Sequence, residues 1–137
     1  MEKLTKANIE ELANEIIAFL EKHELASDVS IYFNGKVMRS DDKWDENDNY
    51  QVVWTTTENV NPHDYFEYCA FNHILSMSFE GALYDVLNYT FGRREEQFLA
   101  IFEKYGLYYE FGHAWNLSAY PIDEMDVEYT IYDRKDA

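Results

Sequence analysis

The stretch HDYFEYCAFNH places His63, Cys69 and His73 within eleven residues. A thiolate and two imidazoles are zinc ligands by type. On a helix over 65–73, Cys69 and His73 would share a face at i, i+4, with His63 or Asp64 completing a site. A metal site or a small thiol enzyme is therefore one reading. The opposing one is that Cys69, between Tyr68 and Ala70, is a small core residue, and that His73 opens a strand. Zinc sites carry clearer pairs of ligands than this, so no metal and no cofactor are expected here. His113 lies close to Glu110 and could pair with it as base and orienter, but no nucleophile stands at a recognised spacing. Ser118 lacks the glycine-flanked turn that exposes a serine nucleophile. Gly106 and Gly112 are followed by no Lys-Ser/Thr, so no phosphate loop is present. No catalytic residue is assigned, and a non-enzymatic protein is expected.

A stronger signal is SDDKWDENDNY, residues 40–50. Asp41, Asp42, Asp45, Glu46 and Asp48 surround one lysine, Lys43, and one tryptophan, Trp44. Turn geometry accounts for two or three acidic or amide residues; five carboxylates exceed it and repel one another across a Debye length of ~8 Å. A second dense patch, PIDEMDVE, holds Asp123, Glu124, Asp126 and Glu128. If the two patches met in space they would form an anionic stripe. Trp44, in a polar setting, either tucks back onto the fold or anchors a partner, since Trp and Tyr bury much area with few rotors.

The whole chain has the same bias. Its 137 residues carry 27 acids and 11 bases, a net charge of −16, and residues 61–92 contain no Lys or Arg. Phosphate binding needs basic patches, so direct nucleic-acid contact is not expected. An anionic membrane would repel the chain. A basic protein would be attracted and steered to it, although charge of this sign also serves solubility alone. The single cysteine permits no internal disulfide, and neither a signal peptide nor a long apolar run is visible, so a cytoplasmic setting is expected.

The elements that must position these groups are legible as periodicity. Ile9, Leu12, Ala13, Ile16 and Leu20 predict a helix over 5–24 with Thr5 as N-cap. VSIYFNGKVMR, 29–39, predicts a hairpin about Asn34-Gly35, a type I′ turn. YQVVWTTT, 50–57, predicts a third strand, which leaves 40–49 as a loop at the end of the sheet opposite that turn. Further strands are expected over 73–79 and 127–132, short helices over 82–89 and 94–105, and a bulged strand or hairpin bent near Gly112 over 107–121. The sum is a single α+β domain, 1–137: an N-terminal helix, an antiparallel sheet of five to six strands and two further helices.

SMSFEGALYDVLNY (76–89) and YGLYYEFGHAWNLSAYP (105–121) resemble segments of small acidic proteins carried by phages, plasmids and conjugative elements of Gram-positive bacteria. That group includes anti-CRISPR and antirestriction inhibitors, many of them DNA mimics. The resemblance implies a non-catalytic inhibitor whose partner is a basic nucleic-acid-processing protein, a Cas nuclease or restriction enzyme. It supplies no residue set, so the partner-binding positions are those of the two acidic patches with Trp44. An immunity protein that neutralises a basic nuclease toxin is the alternative. The sequence leaves the oligomeric state open.

Overall fold

The computed structural model describes residues 3–65, 74–89 and 92–128. The elements in chain order are β1 (Lys3–Leu4), α1 (Lys6–Lys22), β2 (Val29–Phe33), β3 (Lys36–Trp44), β4 (Tyr50–Glu58), a 3₁₀ turn (Pro62–Asp64), β5 (Leu75–Phe79), α2 (Ala82–Asn88), α3 (Arg93–Glu103), β6 (Leu107–His113), β7 (Asn116–Pro121) and β8 (Asp126–Val127). Six strands form an antiparallel sheet in the order β4-β3-β2-β5-β7-β6, and β1 pairs with β8 in parallel. The α+β expectation holds, with the N-terminal helix and two further helices in place.

Helix α1 begins where its sequence says it should. The Thr5 side chain accepts from the Asn8 amide and the Asn8 side chain accepts from the Thr5 amide, a reciprocal capping box that satisfies two orphan donors. Ile9, Leu12, Ala13, Ile16, Ile17 and Leu20 are buried and face Val29, Ile31 and Phe33 of β2, Leu75, Met77 and Phe79 of β5, and Leu117 and Ala119 of β7 in one core. The alternation along each strand sends these residues to the helical layer. Helix α3 closes the same core with Phe98 and Phe102, both fully buried against Tyr109. Truncating either ring to Ala would cost ~3–5 kcal/mol.

The opposite face of the sheet is more polar. Ser76 and Ser118 are buried there and share a hydrogen bond of 2.7 Å, so Ser118 is a packed residue rather than an exposed hydroxyl. Tyr32 and Val37 are buried in a smaller cluster with Val60. The Asn34-Gly35 turn has positive φ at both residues, 49° and 77°, as a type I′ turn requires.

Two expectations need correction, and a third is described only in part. Residues 40–44 are strand, not loop: β3 runs through the acidic stretch to Trp44, and only the turn between Trp44 and Tyr50 is irregular. Pairing with β4 overrides the low strand propensity of Asp. Of the strand expected over 127–132, Val127 pairs with Leu4 in the short parallel bridge of Lys3–Leu4 with Asp126–Val127, and 129–132 lie outside the described residues. Strand β5 starts at Leu75 rather than at His73, which, like Cys69, also lies outside them. The bend predicted near Gly112 is present as a register shift between Phe111 and His113.

Candidate functional site

The β3–β4 hairpin outruns the rest of the sheet. Strand β2 pairs with β3 only from Lys36 to Arg39, whereas β4 pairs with it from Lys36 to Trp44. From Ser40 onwards the two strands form a ribbon of roughly 14 Å, at about 3.4 Å per residue, tipped by the turn Asp45–Asn49. A lone two-stranded ribbon is marginal in water, so this one needs local supports.

The supports come from the acidic residues themselves. Asp42 accepts hydrogen bonds from the Ser27 hydroxyl, at 3.0 and 3.1 Å to its two oxygens, and from the Tyr50 hydroxyl at 2.7 Å. It thereby ties the ribbon to the loop that follows α1. The same bond to Asp42 is the main reason that the Tyr50 phenol is held above its ordinary range. Asp45 organises the turn: its carboxylate accepts from the backbone amides of Asn47 and Asn49 and from the Asn49 side chain. Those bonds, the Asn49 backbone amide first, hold the Asp45 carboxyl below its usual range. Asp48 takes a left-handed backbone, φ 60°, which Asp and Asn tolerate.

Five carboxylates thus divide into two groups. Asp42 and Asp45 build the hairpin, while Asp41, Glu46 and Asp48 are exposed with no side-chain hydrogen bond among the described residues. None of the five is in an ion pair among those residues; the pairs there are Lys36–Glu10 and Lys104–Glu15. Trp44 does not tuck back. It is 66% exposed, and its ring contact among the described residues is a tilted one with Tyr50, centroids 5.1 Å apart.

Residues directly opposite in a ladder share a face. Trp44, Asp42, Tyr50, Val52 and Trp54 therefore lie on the helical face of the ribbon, and Asp41, Lys43, Gln51 and Val53 on the other. On the helical face an open cavity of ≈ 590 Å³ runs between the ribbon and the C-terminal end of α1, lined by Leu20, Ala26 and Val52 with Glu21, Glu24, Ser27 and Tyr50 around them. Sequence reading missed this groove and its residues. Nothing in the spacing of Glu21 or Glu24 links them to residue 52; the link is the length of the β3–β4 ladder.

The second patch is elsewhere. Glu128 accepts from the Lys6 amide and donates its own amide to Leu4, so it sits at the N-terminal end of α1, whereas Asp42 and the groove sit at the C-terminal end. Seventeen residues of helix separate these points by about 25 Å. Asp123, Glu124 and Asp126 are exposed on the same side as Glu128, following the bond from Ile122 N–H to Gly106 C=O. The structure does not bring the two patches into one stripe.

The other candidates are quickly placed. His113 lies flat on Trp115, centroids 5.0 Å apart, and Glu110 accepts from the Tyr108 hydroxyl. Among the described residues no group of three His, Cys, Asp or Glu side chains is placed to hold a metal; His63 is described, in the 3₁₀ turn, and its proposed co-ligands Cys69 and His73 are not. No helix among those residues is long and apolar enough to cross a membrane. Comparison with protein-family models, with curated proteins and with solved structures finds no match, so function is read from this chain's own geometry.

Proposed function

We propose that this protein is a non-catalytic inhibitor that binds the basic nucleic-acid-binding surface of a defence nuclease, of the Cas or restriction type, and competes there with the nucleic acid. The observation that carries the reading is the β3–β4 ribbon, which projects Asp41, Glu46 and Asp48, none of them in an ion pair among the described residues, and leaves Trp44 in solvent. A free loop would lose entropy on ordering against a partner. This ribbon is already ordered by Asp42 and Asp45, so its charge is presented at little further cost. Duplex DNA places one charge per ~1.7 Å of axis, and carboxylates on a rigid ribbon offer a cationic channel a comparable density. The resemblance read in 76–89 and 105–121, to small acidic proteins of mobile elements, a group that includes such inhibitors, implies the same kind of function. The patch at Asp123, Glu124, Asp126 and Glu128, some 25 Å away along α1, is a separate contact for a large partner.

The geometry selects the variants for the test. Reversing Asp42 or Asp45 would damage the hairpin and confuse binding with folding. Asp41→Lys and Glu46→Lys together with Asp48→Asn change the charge and keep every bond described above. The combined variant is expected to retain its melting temperature and to inhibit nuclease cleavage at least ~10-fold less well, as the loss of charge steering and of rim contacts implies. Undiminished inhibition by this variant would remove the hairpin from the interface.

A further inference from the structure

Among the described residues strand β4 is an edge of the sheet, and from Tyr50 to Thr57 its own sequence carries none of the prolines, charges or bulges that usually protect one. The other edge, β6, is interrupted by its register shift at Phe111/His113 and is packed by α3. By contrast β4 pairs with β3 over nine consecutive residues without a shift. From Tyr50 to Thr57 it contains no Pro, Lys, Arg, Asp or Glu. Most of it is exposed, Tyr50 by 48% and Val53 by 38%.

The phase of its hydrogen bonds follows from both ends. Phe33 and Lys36 close the two-residue turn, so Lys36 presents its backbone groups to β2 and Val37 presents its own to β4. The bond from Asp45 N–H to Asn49 C=O sets the same alternation from the tip. Hence Gln51, Val53, Thr55 and Thr57 bond to β3, and the backbone groups of Tyr50, Val52, Trp54 and Thr56 point away from the sheet. Outward donors and acceptors in this register are the template for strand addition.

We infer that the outer edge of β4 receives an extended, positively charged segment of the partner as a seventh strand. The inference rests on the reading that the partner is basic, and it names how that partner's chain is gripped. Charge decides between occupants. A second copy pairing antiparallel about Trp54 would set the Glu58 end of each strand beside the Asp45–Asp48 tip of the other, between two chains of −16 each. A cationic strand meets the opposite situation. Its alternate side chains would fall on the helical face, where Lys or Arg stems can lie on Tyr50 and Val52 with their heads at Glu21 and Glu24.

Amide hydrogen exchange on the full chain tests this, with an alternating Lys-Val octapeptide as probe at about 50 mM salt. The amides of Val52, Trp54 and Thr56 are expected to exchange at least about tenfold more slowly with peptide present, while those of Val53, Thr55 and Thr57 change little. The same peptide with alternate backbone N-methyl groups keeps its charge and should give no such protection. Peptide bound without protection at those three amides, or no binding at all, overturns the proposal. So does protection that appears without peptide as protein concentration rises, which would assign the edge to a second copy. Thr56→Pro removes one outward donor and no bond to β3; if it folds, it should lose the protection at Val52 and Trp54, and retained protection would count against the proposal. If it does not fold, exchange in the unaltered chain decides. Edge protection in a protein that displaces DNA from no nuclease keeps the strand site and removes the inhibitor reading; hairpin-dependent inhibition without edge protection does the reverse.

Discussion

Trp44 faces Tyr50 across the last rung of the β3–β4 ladder, and the Tyr50 hydroxyl donates to Asp42 two residues back along β3. One aromatic pair and one carboxylate therefore hold the end of a projecting ribbon in a single arrangement, with the indole still two-thirds in solvent. An exposed ring held this way contributes little to folding, and on the proposed reading it is placed to anchor a partner. Trp44→Ala is expected to change stability by no more than ~0.5 kcal/mol and to weaken partner binding by about 2 kcal/mol or more, as central aromatic anchors do. Denaturation and binding measured on the same variant separate the two effects.

The root of the ribbon depends on Gly81. A Cβ at that position would lie 2.4 Å from the Ser27 carbonyl oxygen, and it is Ser27 whose hydroxyl binds Asp42. Because the obstacle is backbone, it cannot swing aside. Gly81→Ala should cost ~1–3 kcal/mol as an overpacking change and should also loosen the ribbon. Faster amide exchange at Asp42 and Lys43 in the variant, beyond the global change in stability, would report the second effect.

Alkaline pH should destabilise the protein through two phenols, the buried Tyr105 and the half-buried Tyr109. Burial raises Tyr109 to about 12, with Glu95 adding to the shift. Burial and the hydrogen bond to Glu15 raise Tyr105 further. An acid whose folded pKa is raised stabilises the fold fully below its unfolded value and loses that contribution as pH climbs towards the folded one. Stability should therefore fall once pH passes 10, the ordinary phenol value. Phenolate absorbance should show these two tyrosines ionising together with unfolding rather than before it.

Acid acts through Glu15, whose carboxyl is lowered by hydrogen bonds from Lys104 and then Tyr105. A depressed carboxyl contributes above its unfolded value of 4.5 and loses that contribution as pH falls through the lower folded value. The stability difference between the natural chain and Glu15→Gln should be constant above pH 4.5 and shrink below it. It should be small throughout, because both Glu15 and Lys104 are substantially exposed and screened.

Much of the fold was legible because local signals agreed with tertiary demands. Thr5 and Asn8 cap α1, the apolar stripe from Ile9 to Leu20 is its buried face, and Asn34-Gly35 makes the turn its φ preferences allow. The acidic stretch misled because Asp and Lys are poor strand formers, and the pairing that overrides them is with residues 50–54. The groove beside Leu20 and Val52 was not legible, since it arises from a difference in strand length between β2 and β3. The separation of the acidic patches followed from β8 joining β1, a two-residue pairing with no pattern of its own. Asp42 and Asp45 looked the same as Asp41 and Glu46 in sequence; only their hydrogen bonds distinguish scaffold from free charge.

Competition with DNA on a purified Cas or restriction nuclease, followed by electrophoretic mobility at about 50 and about 200 mM salt, tests the central claim most directly. The unaltered chain is expected to displace DNA from the nuclease it inhibits, strongly at the lower salt and weakly at the higher. The Asp41→Lys, Glu46→Lys, Asp48→Asn variant should displace little at either. Displacement by that variant equal to the unaltered chain, and indifferent to salt, would contradict a mechanism in which the β3–β4 ribbon occupies a cationic channel.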